Sequence, residues 1–114
     1  MNLHDLECLK KIFSDLINYE SSNPLDEIDP LTYELPEGDS CLHIGVGRGN
    51  IRAVKLLIEA GLDINKKGDM SLTPLHVAYR ERQFEIAQLL IENGADVNAV
   101  DEFGRTPVHW TPTK

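Results

Sequence analysis

The side chains that could carry chemistry are few, and most fall at regular intervals. His43, His76 and His109 stand 33 residues apart. Three ligands of one zinc ion must converge within ~2.1 Å of it, whereas packed helical units are spaced ~10 Å apart. The set therefore reads as structural, with a ring nitrogen of each histidine tying a loop to its neighbour. His4 and Cys8 are four residues apart and share a helix face, but two ligands without a third make no metal site. Cys41 lies close to His43, yet a nucleophilic cysteine needs an exposed thiolate and an oriented base. Gly45-Val46-Gly47-Arg48-Gly49 lacks the preceding strand and the lysine of a phosphate loop. The acids between positions 26 and 37 do not have the spacing of a calcium loop. No catalytic residue, metal or cofactor is expected, and an enzyme ranks last among the function classes.

The histidine interval belongs to a repeat. At an offset of 33, Ser40-Cys41-Leu42-His43 falls on Thr73-Pro74-Leu75-His76 and then on Thr106-Pro107-Val108-His109. Leu56-Leu57-Ile58-Glu59 falls on Leu89-Leu90-Ile91-Glu92, and Gly61, Asp63 and Asn65 fall on Gly94, Asp96 and Asn98, all without a gap. Each unit has a physical layout. Thr73-Pro74 opens a helix, with a capping hydroxyl and a proline at the first position. Leu75, Ala78 and Tyr79 follow at helical spacing, and this short helix ends near Glu81-Arg82. A second helix begins about Phe84, runs through Ile86, Ala87, Leu89, Leu90 and Ile91, and is stopped by Gly94. A turn at Asp101-Glu102-Phe103-Gly104 closes the unit as a projecting, hairpin-like loop.

The run from Leu72-Thr73-Pro74-Leu75-His76-Val77-Ala78 to Gly94-Ala95-Asp96-Val97-Asn98-Ala99 resembles the ankyrin repeat. The resemblance covers residues 36–110, about two thirds of the chain. It implies an all-α fold: a solenoid of helix-turn-helix units with projecting loops. Repeats at 37–67 and 68–100 and a partial one at 101–114 are expected. This chain departs from the family pattern in places. Ser40-Cys41 replaces Thr-Pro, so Cys41 stands where a proline is usual, and Gly45 replaces Ala. Gly45, Gly47 and Gly49 should weaken the first helix, each by ~1 kcal/mol relative to alanine. Arg82 takes the place of a helix-ending glycine.

Terminal units of a stack need caps. Leu3, Leu6, Leu9, Phe13, Leu16 and Ile17 recur at spacings of three and four, with charges between them. This amphipathic pattern predicts a helix over about 3–19, read as an N-terminal capping helix in segment 1–19. Residues 20–36 form an acidic, proline-containing loop whose Leu25, Ile28, Leu31, Tyr33 and Leu35 suggest that part of it packs on the first repeat. At the other end, Val108 and Trp110 are expected to fold over the last full unit as a minimal cap, because monomers avoid large exposed apolar patches.

Aromatics make up only 6% of the 114 residues, which suits a thin stack better than one wide core. The net charge is −8, and residues 1–37, with nine acids against two bases, hold −7 of it. Such a balance repels nucleic acid and anionic membranes and steers basic partners inward. The N-terminus lacks a signal-peptide pattern and no run of ~18 apolar residues occurs, so a cytoplasmic protein with Cys8 and Cys41 as free thiols is expected.

The resemblance implies binding through loop tips and the outward face of the first helices, which together form a concave surface. Carried onto this sequence, it points to Glu37 and Asp39, then Lys66, Lys67, Asp69, Met70 and Leu72, then Val100, Glu102, Phe103 and Arg105. On the short helices it points to Gly47, Arg48, Arg80 and Glu81. Met70, Leu72 and Phe103 draw most interest, since methionine and aromatics are enriched at interface cores. The expected function is a non-enzymatic protein-protein interaction module. One alternative is a small acidic inhibitor of a basic toxin or nuclease, like the immunity proteins. The other is a self-associating or truncated part of a longer array, with weak dimerisation through the C-terminal end.

Overall fold

The structure, a computed structural model, describes residues 3–16 and 28–110. Five α-helices lie within them: α1 (Leu3–Ile12), α2 (Cys41–Arg48), α3 (Ile51–Glu59), α4 (Pro74–Arg80) and α5 (Phe84–Glu92). Short 3-10 turns occupy Asp69–Ser71 and Pro107–Trp110. Among the described residues, the β pairing is a single bridge between Glu34 and Ser40. No helix among them is long and apolar enough to cross a membrane.

The helix ends follow from local chemistry. Thr73 caps α4, its Oγ1 accepting from the His76 N–H at 3.4 Å, and Pro74 takes the first position. Asn50 caps α3, its Oδ1 accepting from the Ala53 N–H at 3.0 Å. Gly49 closes α2 in the left-handed conformation at φ 73°. Arg82, 33 residues on, is forced into the same region at φ 59°. The two closures share their bonds: Asn50 N–H to Gly45 O at 3.0 Å, and Gln83 N–H to Ala78 O at 2.7 Å.

Helix α1 is shorter than the pattern over 3–19 predicts. After Ile12 the chain tightens to i→i+3 bonds, Ser14 N–H to Lys11 O and Leu16 N–H to Phe13 O, and residues 17–19 lie outside the described ones. The apolar face still does its work. Leu9 and Phe13 are fully buried. A methyl placed on Gly45 would sit 3.6 Å from the Phe13 ring. Helix α2 forms in spite of its glycines because tertiary packing of this kind outweighs propensity.

Helix α2 lies against α3 and α4, α4 against α5 and the terminal 3-10 turn, and α1 against α3. The result is an elongated body of 43 × 27 × 23 Å. One core runs its length through Leu42, Val46, Val54, Leu57, Leu75, Ala78, Ile86 and Leu90. Each fully buried leucine or isoleucine contributes about 1.5–3 kcal/mol relative to exposure. Of the proline-containing loop, Ile28 and Tyr33 join this core and Leu31 and Leu35 pack on it. Leu25 lies outside the described residues.

Val108 does not act as a cap. It is 58% exposed, while its repeat equivalents Leu42 and Leu75 are 0% and 1% exposed. Among the described side chains of this last turn, Pro107 is the buried one. The Trp110 side chain and residues 111–114 lie outside what the structure describes.

Candidate protein-binding ledge

Three loops, at residues 35–39, 68–72 and 101–105, fold alike because the same bonds close them. The N–H groups of Leu35, Gly68 and Asp101 donate to the carbonyls of Asp39, Leu72 and Arg105 at 2.8, 2.9 and 2.9 Å. Inside each, Gly38, Ser71 and Gly104 donate back to Leu35, Gly68 and Asp101. All three of these residues have positive φ: 107°, 61° and 78°. Serine stands where the other two loops have glycine, and its neighbour Met70 is also left-handed at φ 56°. Two consecutive non-glycine residues in this region store about 1–3 kcal/mol each, a strain that clusters at functional sites.

Two of the periodic histidines, His43 and His76, hold the second and third loops to the helices, while the exposed His109 bonds only within its own turn. The Nδ1 of His43 accepts from the Ser40 N–H at 3.1 Å, so the ring proton sits on Nε2. That Nε2 donates to the Leu72 carbonyl at 3.0 Å. His76 repeats the arrangement, accepting from Thr73 N–H at 3.1 Å and donating to the Arg105 carbonyl at 2.9 Å. His109 accepts from the Thr106 N–H at 3.0 Å. Burial pushes the His43 pKa below its ordinary value, against the opposing pull of Asp39 and of the Leu72 carbonyl. Burial likewise pushes the Cys41 thiol up to about 12, leaving no thiolate for nucleophilic chemistry near neutral pH. Among the described residues, no group of three or more His, Cys, Asp or Glu could hold a metal ion.

Neighbouring tips are also tied to each other. The Asp39 Oδ1 accepts from the Asp69 N–H at 2.9 Å. Gly68 permits this, since a Cβ there would collide with the Asp39 carboxylate. The Met70 carbonyl accepts from the Glu102 N–H at 2.9 Å, and the Val100 carbonyl accepts from Lys67 Nζ at 3.0 Å. The three tips thus form a continuous ledge.

The third tip is the most tightly built. Asp101 is 5% exposed. Its Oδ1 accepts from the N–H groups of Phe103 and Arg105 at 2.8 and 2.9 Å, and its Oδ2 accepts from Arg105 Nε at 3.2 Å. The Arg105 guanidinium lies 5.0 Å from the centre of the Phe103 ring. Phe103 itself is 65% exposed. Position alone puts Asp101 in the turn without a role. Its signal is the aspartate two residues before an N–H that needs a partner, the pattern of an Asx-turn.

The sequence-predicted residues divide into three groups. Glu37, Lys67, Asp69, Glu102 and Phe103 are exposed on the tips, and Met70 and Arg105 are half-buried there. Arg80 and Glu81 are exposed at the end of α4 and pair with each other at 3.0 Å. Val100 is 42% exposed before the third tip, with only its carbonyl engaged, by Lys67, and the remaining ones make contacts within the fold. Leu72 is a correction: it is 2% exposed and belongs to the core, because strand-like backbone after the tip turns its side chain toward the helices (φ −75°, ψ 134°). Asp39 is half-buried and spends a carboxylate oxygen on Asp69. Arg48 grips the end of α1, with Asp15 at 2.8 and 3.2 Å and the Phe13 ring centre at 5.7 Å. That pairing holds the Asp15 carboxyl below the usual range. Lys66 pairs with Glu34 at 3.3 Å, and Gly47 is half-buried with its Cα facing Val77.

Repeated helix pairs, repeated loop closures and a histidine bond carried from one unit to the next are one architecture seen again and again. The family model described as ankyrin repeats, three copies, matches residues 2–101. The chain belongs to the ankyrin-repeat family. The matched stretch includes α1, so the segment read as a cap lies within the family match. Over 43 residues the chain is 44% identical to protein phosphatase 1 regulatory subunit 27 of Homo sapiens, and equally to that of Mus musculus. The shared stretch is 38% of this ankyrin-repeat chain and 28% of each relative, so the chain spans little more than a quarter of the curated relatives it matches.

Proposed function

We propose that the chain is a non-enzymatic protein-binding module that meets its partner with the loop-tip ledge, Phe103 being the anchor. One observation carries this reading: a large aromatic ring, 65% exposed, stands on a loop whose backbone is fixed by the buried Asp101. Binding energy concentrates in such anchors, and a loop already held in one conformation loses little entropy on association. A regulatory subunit among the relatives fits a role without catalysis. The shared 43 residues are too short to carry that subunit's partner across.

Replacement Phe103→Ser tests the reading. Partners captured from a host lysate by the intact chain are expected to be lost by the variant. Its thermal midpoint should stay within a few degrees, because the ring buries little in the free protein. A partner retained by the folded variant would move the binding surface off the third tip.

A further inference from the structure

The ledge has a chemical direction. Glu37, Met70 and Phe103 occupy the same position in successive tips, 33 residues apart. An acid, a methionine and a phenylalanine therefore follow one another along it. The nearby cations are all engaged. Arg105 is held by Asp101 and stacked on Phe103, Lys66 pairs with Glu34, and Lys67 donates to the Val100 carbonyl. The exposed carboxylates of Glu37, Asp69 and Glu102 make no ion pair with a described residue. Lys67 keeps its charge, but the carboxylates of Glu37, Asp39, Asp69, Asp101 and Glu102 outnumber Lys66, Lys67 and Arg105 along the tips, so the ledge offers a net negative charge around an apolar pair. Met70 and Phe103 stand on adjacent tips joined by the bond from the Glu102 N–H to the Met70 carbonyl at 2.9 Å, close enough for one apolar side chain to touch both.

We propose that the ledge receives an extended basic segment of a protein partner. An apolar side chain of that segment sits between Met70 and Phe103, and lysines or arginines flanking it face Asp69, Glu102 and Glu37. This rests on the loop-tip reading above and adds to it the chemistry of the occupant. Charge complementarity selects the bases, and the exposed ring selects the apolar residue between them. An extended chain rises ~3.3 Å per residue with alternate side chains on one face, so the bases belong two and four residues from the apolar one.

The test is selection of displayed random peptides, each of about 12 residues, on the intact chain at low salt. The expected winners carry an apolar residue flanked at even spacing by lysine or arginine. On titration they should shift the amide resonances of Asp69, Met70, Glu102 and Phe103. Affinity should fall about tenfold or more with Phe103→Ser, and by a similar factor with Asp69→Lys plus Glu102→Lys or with added salt. The doubly reversed chain should instead select acidic peptides. Where its thermal midpoint drops, Asp69→Asn plus Glu102→Gln replaces it. Peptides that need Phe103 but show no basic bias and ignore the charge reversal overturn this proposal and leave the loop-tip reading standing. Peptides that bind the Phe103→Ser variant as well as the intact chain overturn both, and a selection with no winners overturns the proposed occupant.

Discussion

A single ring proton illustrates how this chain uses polar chemistry for structure. His43 is neutral in the fold because its Nδ1 must accept from Ser40 while its Nε2 donates to Leu72, and because burial disfavours the charged ring. Its folded pKa therefore lies below the ordinary value of 6.5. As the pH falls through that ordinary value, the unfolded chain takes up the proton before the folded one does, so stability declines toward lower pH and is fully present above it. Urea midpoints measured from neutral pH down to about pH 5 should show this decline. The variant His43→Gln should be less stable at neutral pH, by about 1–3 kcal/mol for the broken bonds, and should show a shallower pH dependence. The histidine spacing made this structural role legible in the sequence, since ligands one unit apart cannot share an ion. The burial of Leu72 was not legible. An apolar residue beside a turn reads equally as tip or core, and only the path of the backbone after Ser71 decides which.

Among the elements, the junction between α4 and α5 carries a visible defect. Arg82 adopts φ 59°, whereas Gly49, its equivalent, adopts φ 73° without a side chain to strain. A non-glycine residue in this region costs about 1–2 kcal/mol, and glycine recovers that at the expense of a looser unfolded chain. The substitution Arg82→Gly should therefore stabilise the protein by up to about 1 kcal/mol, read as a higher denaturant midpoint with an unchanged slope. The departure was legible from the repeat alignment because the left-handed helix end is a local demand. The length of α1 was not legible. Its apolar spacing continues to Ile17, but the backbone after Ile12 turns so that Phe13 reaches α2 and Asp15 reaches Arg48. The same contact ties Arg48, still at the surface, to the end of α1.

Across the whole molecule, one column of the repeat changes its environment with position. Leu42 and Leu75 are buried between units, and Val108, the third member, is 58% exposed. Identical truncations should then differ sharply in cost. Leu75→Ala should destabilise by about 2–5 kcal/mol, whereas Val108→Ala should change stability by no more than about 0.5 kcal/mol. Equilibrium unfolding of the two variants side by side checks this. Equal losses would mean that the last turn is packed as tightly as the interior units.

Sequence alone determined the repeat, its helix pairs, the Thr73-Pro74 start of α4 and the loop-tying role of His43 and His76, because each of these depends on spacing and local backbone chemistry. It assigned His109 the same role, and there the ring bonds only within its own turn. It also singled out Phe103, an aromatic at a turn. Tertiary structure decided which tip residues remain available. Leu72 went to the core, Arg48 to α1 and Asp39 to the neighbouring tip, while Glu37, Asp69, Glu102 and Phe103 stayed exposed. That division depends on what each side chain meets from residues 29–36 positions away in the chain, and spacing along the sequence does not contain that information.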